Sequence, residues 1–478
     1  MQLYNKYATV LKRIMKDGIK SGNAEKAMAA MASYAYITYE WNQFYTDDEV
    51  EKLICRICER LFPQKLELSQ CKRNSILFYD GFGLDTRGLA LIYLKALIHL
   101  GYHVIYVTKV EAEGKQPEIM KVLRGAASNV EYIRLSRSHT DHVTELNTIF
   151  EKYNPSKAMF YTMPDDIAAA VVFSRYKGRV MRYQINLTDH AFWIGKCAFD
   201  VCIEFREYGA GISHYHRGID LKQIRILPFY PWVDKDAPFG GFDFSTAGYK
   251  IVFSGGALYK TLGGDNKYYI LVDQILEQNK DTLFLYAGYG DDSELKKLEG
   301  KWGGRVVHIS ERKDLFALMQ HIDVYLNTYP IIGGLMTQYA VIAGKIPLML
   351  INDDMSDASG ILMNQEKLGI EFRSIDAMLE EIHRLLTDEV YRHAKYDIVK
   401  RSVMCEAEFI ERLEKILDDR DSTLTEIMKP ETDTFRAGYR SRFSENSVMG
   451  ALVRKKNKAL FTKFPVLFAR RIFNKLRK

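Results

Sequence analysis

Between Ser75 and Ile351 short apolar runs alternate with helical stretches, and the alternation occurs twice. The first series is SILFYD, VIYVT, VEYIRL, AMFYT, VMRYQIN and VCIEF; the second is KIVFSGG, TLFLYAGYG, RVVHIS, IDVYLNT and PLMLI. Runs this short, separated by crossover helices such as GFGLDTRGLALIYLKALIHLGYH, build largely parallel, doubly wound sheets. The expected fold class is therefore α/β, with two tandem Rossmann-like domains at residues 67–240 and 248–385, joined through a Gly, Phe and Asp-rich loop from Lys235 to Gly248. Residues 1–66 read as a helical extension of three helices, broken at Lys20-Ser-Gly-Asn and at Tyr45-Thr-Asp-Asp, the latter a good N-cap site. Within it MAAMASYAYITYEW is apolar nearly all round and is expected to pack on a neighbour. Residues 386–420 read as C-terminal helices, and 421–478 as a linker followed by a basic amphipathic tail.

A chain of 478 residues, 47% hydrophobic, is long enough to give each domain its own core. No window of about eighteen apolar residues occurs. Lys6, Lys12, Arg13 and Lys16 are spread through an amphipathic helix with no signal-peptide core, so a cytosolic body is expected. Six cysteines in so long a chain do not suggest a disulfide framework. Cys55 and Cys58 form a CxxC inside LICRICERLF, whose apolar residues repeat at helical spacing, and they read as structural thiols. The net charge of +6 is local: from Arg454 to Lys478 there are ten Lys or Arg and no acid, leaving 57 basic against 61 acidic residues elsewhere. A nucleic-acid enzyme would spread its positive charge over a groove, so nucleic acid is not an expected partner.

The chemistry concentrates at strand ends. In NTYPIIGGLMTQYAVIAGKIP, Asn327 to Pro347, Gly333-Gly334 stands between a strand and a helix starting near Leu335. Glycines let backbone approach a ligand, and the first amides of a helix can hold a phosphate. Gly255-Gly256 follows the first strand of this half, Lys260 comes four residues later, and Arg312 lies in the SERKD loop after RVVHIS. Each alone is an ordinary turn or a solvated cation. Together they supply amides and two cations for a diphosphate.

This half resembles the nucleotide-sugar domain of GT-B-fold glycosyltransferases, in the broad group around families 4 and 41. The likeness runs from KIVFSGG with its downstream Lys, through LFLYAGYG and VVHISERKDLFALMQHIDVYLNTYP, to the GG before AVIAGKIPLML. The resemblance implies that Lys260, Gly333, Gly334 and Leu335 hold a diphosphate while Ile309 to Arg312 contact the base. The donor-binding set it implies is Gly255, Gly256, Lys260, Ser310, Arg312, Gly333, Gly334, Leu335, Met336, Thr337 and Gln338. Many members place a ribose-binding Glu where this chain has Tyr339, a departure for which Gln338 could substitute. The implied co-substrate is a nucleotide sugar, UDP by its frequency in the group, and no further cofactor is expected.

In the first half, Leu187-Thr-Asp-His-Ala-Phe-Trp ends the VMRYQIN strand. His190 beside Asp189 admits two readings: a proton acceptor oriented by a carboxylate, or a core histidine with Phe192 and Trp193 as packing. A histidine at this place in GT-B transferases contacts the donor sugar or acts as base, which implies His190 and Asp189 as the catalytic pair. The loop Asp80-Gly-Phe-Gly-Leu-Asp-Thr-Arg-Gly could bring Gly81, Gly83, Asp85 and Arg87 to an acceptor, and Glu204, Arg206 and His216 are further candidates for acceptor or sugar contact. Asp353 and Asp354 could touch the sugar. The His and Cys residues show no metal-ligand spacing, and no metal is expected.

The tail mixes Leu, Phe, Val and Ile with Lys and Arg, as a helix lying on an anionic membrane requires, although Pro465 limits any single helix. Packing on the body and disorder are its other readings. The function expected is transfer of a sugar from a nucleotide donor to a glycan acceptor, lipid-linked, in bacterial cell-surface polysaccharide or glycoconjugate synthesis, at the inner face of the cell membrane. A nucleotide-sugar 2-epimerase and a catalytically silent GT-B subunit that binds a partner transferase or glycoprotein are the alternatives.

Overall fold

The computed structural model describes residues 2–64, 66, 71–109, 112–136, 139–351, 360–421 and 423–454, with 464, 465 and 469 beyond them. Asp353 and Asp354 lie outside the described residues, as does most of the basic tail after Arg454. The chain forms two compact units, one of residues 1–227 with 407–478 and the other of residues 228–406.

The first unit is built on seven parallel strands: β1 (Lys72–Asp80), β2 (His103–Thr108), β3 (Val130–Arg134), β4 (Pro155–Tyr161), β5 (Met181–Asn186), β6 (Val201–Glu204) and β7 (Ile224–Ile226). Their order is β3-β2-β1-β4-β5-β6-β7. β1 pairs with both β2 and β4, so the direction of winding reverses beside it. In open α/β sheets ligands bind outside the carboxyl ends of the strands at such a point. The run Ile76-Leu-Phe-Tyr is buried throughout, as a strand covered on both faces must be.

Three helices precede this sheet: α1 (Gln2–Ser21), α2 (Ala24–Trp41) and α3 (Asp48–Leu61). Asn23 caps α2 by accepting from the Lys26 amide, and Asp47 caps α3 through the amides of Glu49 and Val50. The largely apolar α2 is buried over most of its middle, with Met28, Met31, Tyr34, Ala35 and Ile37 in one core with α1, α3 and the sheet. The extension is thus an integral layer of the first unit. Its core is completed from the other end of the chain. In the helix Glu406–Leu417 the side chains of Phe409, Leu413, Ile416 and Leu417 are buried, Phe409 edge-on to Tyr93 at 5.1 Å, and the Leu417 carbonyl accepts from the Tyr183 hydroxyl.

The second unit has six parallel strands: β8 (Lys250–Gly255), β9 (Thr282–Ala287), β10 (Val306–Ile309), β11 (Val324–Leu326), β12 (Pro347–Leu350) and β13 (Glu371–Phe372). Their order is β10-β9-β8-β11-β12-β13, and the winding reverses between β8 and β11. The stretch expected to be a linker belongs to this unit. Phe239, Phe242 and Phe244 pack beside the buried residues of β8 and β9, and the Gly240 amide donates to Asp314. The segment reads as a linker in sequence, but its three phenylalanines anchor it.

Phe409→Ala removes a buried ring from a segment that returns to the first unit after the second is complete. It should cost that unit about 3–5 kcal/mol and leave the second unchanged. Calorimetry resolving the two transitions would show the displaced one, and domain-selective proteolysis would identify it.

Candidate functional site

In the second unit three strand ends build a cradle around the point where the winding reverses. β8 ends in Gly255-Gly256, with Gly256 at φ 131°, a conformation open to glycine. Here the chain meets the loop after β9: the Gly256 amide donates to the Ala287 carbonyl at 2.9 Å, and a Cβ on Gly288 would stand 1.9 Å from the Gly256 oxygen. Gly255 abuts Met336, where a Cβ would come within 2.9 Å of the methionine methyl. The first glycine turn therefore lies against the first turn of the helix Gly334–Ile342.

That helix start is shaped by Asn327. Its side-chain oxygen accepts from the amides of Thr328 and Gly333, both at 2.9 Å, and its nitrogen donates to Thr337 Oγ1 at 2.6 Å. Thr337 returns a bond to the Gly333 carbonyl. The Gly333 amide is thus occupied, and no side chain caps the helix. The amides of Gly334, Leu335 and Met336 have no hydrogen-bond partner among the described residues, which makes them available to an anion. Lys260 reaches the same place by its backbone, its carbonyl accepting from the Ile331 amide at 3.2 Å. Its ammonium is half-buried and has neither a carboxylate nor a hydrogen-bond partner among the described residues; burial alone pushes its pKa down.

In the first unit the end of β5 carries Asp189 and His190. Asp189 is fully buried, and Arg206 grips it with two bonds, Nε to Oδ2 at 2.6 Å and Nη2 to Oδ1 at 3.1 Å. Burial pushes the Asp189 carboxyl up, but Arg206 and His190 outweigh it and hold the group well below the usual carboxylate range. His190 Nδ1 is 3.2 Å from Asp189 Oδ1, while the ring is about a third exposed. A proton on Nδ1 leaves the lone pair on Nε2, which has no partner among the described residues. The imidazole also meets the Phe435 ring edge-on at 5.8 Å.

The loop itself is stapled from three sides. Arg217, 1% exposed, donates from Nη2 to the carbonyls of Thr188, Asp189 and Ala191 and lies over the Trp193 ring at 4.8 Å. Asn42, the left-handed C-cap of α2, donates to the His190 carbonyl and accepts from the Phe192 amide. Glu51 of α3 accepts from the amides of Gly195 and Cys197. An imidazole fixed in this way presents one nitrogen to solvent and the other to a buried carboxylate, an arrangement able to take a proton from a hydroxyl.

No protein-family model matches the chain, and no curated protein matches it by sequence. Solved structures do match. A variant of the Thermobaculum terrenum O-GlcNAc transferase aligns over 93% of this chain and 85% of its own, at 14% identity and a TM-score of 0.52. A Listeria monocytogenes protein described as a UDP-N-acetylglucosamine 2-epimerase aligns over 75% of this chain and 99% of its own, at 13% identity and a TM-score of 0.52. A Rickettsia africae glycosyltransferase aligns over 72% and 98%, at 11% identity and a TM-score of 0.50. The fold is GT-B. At these identities the likeness is one of architecture, with two Rossmann-like units each carrying strand-end loops as described.

Within this GT-B chain several expected contacts have other partners. Arg312 forks onto Asp314, donates to the Gly241 carbonyl at 2.9 Å and faces the Phe239 ring, so it ties the 239–242 segment down and brings no free cation to the cradle. Ser310 is exposed beside it. Tyr339 donates its hydroxyl to the Trp232 carbonyl, and Gln338, 2% exposed, donates to the carbonyl of Phe229, so both clasp the segment that opens the unit. Glu204 is fully buried, which removes it from any acceptor: it accepts from Asn186 and Ser213 while Gly209 packs so near that a Cβ would meet its Oε2 at 2.6 Å. Arg206 serves Asp189 in place of an acceptor. His216 leans on the Tyr45 ring at 5.3 Å, and burial pushes its pKa down.

Asp80 organises the glycine loop after β1, accepting from the amides of Phe82 and Gly83, from the Tyr106 hydroxyl and from Gln116. Gly83 stands at φ 64°, Arg87 is exposed, and Asp85 caps the helix Pro117–Gly125 through the amides of Glu118 and Ile119. Gly81 passes Asp166, which Lys109 pairs at 2.6 Å and Tyr79 at 2.7 Å. Asn327, Arg217, Asn42 and Lys109 escaped notice in the sequence. Asn327 alone had a local signal, six residues ahead of Gly333. Among the described residues no group of three or more His, Cys, Asp or Glu is arranged to hold a metal ion.

Asp189 has its pKa lowered by folding, so its contribution to stability is complete above the ordinary carboxyl value and is lost as pH falls toward the folded value. Asp189→Asn should lower stability at neutral pH by about 3–5 kcal/mol, since the buried Arg206 loses its carboxylate partner, and flatten the loss below about pH 4. Urea midpoints measured from neutral pH down through that range would check both effects.

Proposed function

We propose that the chain is a glycosyltransferase that moves a sugar from a nucleotide diphosphate donor, UDP by preference, to a hydroxyl of a glycan acceptor. The observation that carries the reading is the half-buried Lys260 ammonium, without a partner among the described residues, on a loop whose backbone bonds to Ile331 just ahead of three unoccupied helix amides. Such a group awaits an anion, and a diphosphate supplies two adjacent ones. Gly255, Gly256, Gly333, Gly334, Leu335 and Met336 would let it approach the backbone, and Thr337 would hold the turn.

Charge develops on the leaving diphosphate as the glycosidic bond breaks, and fixed amides and an ammonium stabilise it without reorganising. His190 Nε2 takes the acceptor proton, and Asp189 stabilises the resulting imidazolium through Nδ1. Arg206 and Arg217 keep that pair in place. The acceptor we propose is a lipid-linked glycan of the bacterial cell surface. The basic segment 450–478 would hold the protein to the anionic inner face of the membrane, each Lys or Arg adding about 1 kcal/mol. Among the described residues no helix is long and apolar enough to cross a membrane. The second reading is a nucleotide-sugar 2-epimerase, favoured by the match to the Listeria protein over 99% of its length.

UDP at a hundred times its Kd should stabilise the protein by about 2.7 kcal/mol, read as a rise in melting temperature, with UMP weaker. Lys260→Ala should weaken UDP binding by about tenfold to a hundredfold. An unchanged Kd would remove this lysine from the site. Incubation with UDP-sugars separates the readings: slow release of UDP supports the transferase, interconversion of the sugar the epimerase. Deleting residues 450–478 should release the protein from phosphatidylserine-containing vesicles in a sedimentation assay, and retention would end the membrane proposal.

A further inference from the structure

The helical extension and the loop after β5 meet at a pair of thiols. On α3 Cys55 lies one turn beyond Glu51, whose carboxylate accepts from the amides of Gly195 and Cys197, so one face of α3 presents both residues to the same short segment. The Glu51 bonds bring the Cys197 thiol to the same face as Cys55, the two thiols influence each other's ionisation, and Ser174 Oγ stands 3.2 Å from the Cys197 sulfur. The neighbouring Cys197 thiol draws the Cys55 thiol down to about 7, against burial and the carboxylates of Glu51 and Glu59, with Lys177 assisting. Cys55 in turn, together with burial, holds Cys197 well above the ordinary thiol value, and burial lifts Cys58 to about 11. Two half-buried sulfurs from distant parts of the chain are therefore paired unequally: one readily forms a thiolate and the other keeps its proton.

We infer that Cys55 and Cys197 form a peroxide-responsive modification site, Cys55 attacking and Cys197 resolving. The Cys55 thiolate attacks hydrogen peroxide; an S–O bond forms, the O–O bond breaks, and the departing hydroxide is protonated to water. Cys197 sulfur then attacks the Cys55 sulfur; the S–S bond forms, the S–O bond breaks, and the Cys197 proton leaves with the hydroxide as a second water. Two thiols lose two electrons and one peroxide gains them. The product joins α3 to the segment that follows Trp193, outside the CxxC that local spacing offers.

The full-length protein, reduced and then treated with hydrogen peroxide, is digested without reductant and its cross-links are mapped by mass spectrometry. A Cys55–Cys197 bridge is expected, reversed by dithiothreitol, with a higher melting temperature for the bridged form. In Cys197→Ser the reaction should stop at a Cys55 sulfenic acid that dimedone labels, and Cys58→Ser should bridge as the parent does. A Cys55–Cys58 bridge would overturn the proposal. So would labelling of the exposed Cys405 ahead of Cys55, because accessibility alone would then govern reactivity. The mapping uses the unsubstituted chain, so it decides even if a variant fails to fold.

Discussion

Folding takes the Lys260 ammonium half out of water and gives it no counter-charge among the described residues. A buried cation is ordinarily repaired by a carboxylate, as Arg182 is by Asp200 and Lys109 by Asp166 in this same chain. Here the repair is absent where the glycine loops are most tightly interlocked and where a helix begins without a cap. Asn327 makes the arrangement specific. It takes the Gly333 amide for itself, and the next three amides have no hydrogen-bond partner among the described residues. The unit thus holds positive potential in backbone and ammonium together, with every shaping bond made to groups that do not neutralise it.

The first unit follows the opposite rule. Around His190 the charges are closed on themselves: Asp189 with Arg206, and Glu204 linked through Ser213 to Arg217. Four charged side chains buried within one loop-and-helix cluster would be costly if unmatched, and each is bonded within the cluster, while the partly exposed imidazole keeps Nε2 without a partner among the described residues. The anchoring comes from outside the sheet. Asn42 and Glu51 reach the loop from the helical extension, and Phe435 from the segment near the other terminus.

The strands were legible because their residues are apolar on both faces, a pattern that a parallel sheet imposes and little else satisfies. The glycine turns were legible because the backbone they need is local. What stayed hidden depends on distant partners. Arg312 looks like a phosphate ligand until Asp314 and the Gly241 carbonyl, 71 residues away, are seen to hold it. Tyr339 looks like a lost ribose contact until its hydroxyl is found on Trp232, 107 residues away. Glu204 is polar in a polar segment, and nothing in that segment announces that it faces inward. The CxxC reads as a pair of structural thiols, whereas the thiol that most influences Cys55 is Cys197, 142 positions further along the chain.

The first unit is interrupted: its chain leaves at Leu227, the whole second unit intervenes, and the path resumes at Ala407. A ribosome adding about 5–20 residues per second therefore makes His190 tens of seconds or less before it makes Phe435, and in that interval the imidazole lacks one wall. The second unit, being continuous, is free to finish first. Birth order thus sets the sequence of completion, with the glycine turns of the second unit in place while the first unit still waits for its last helices.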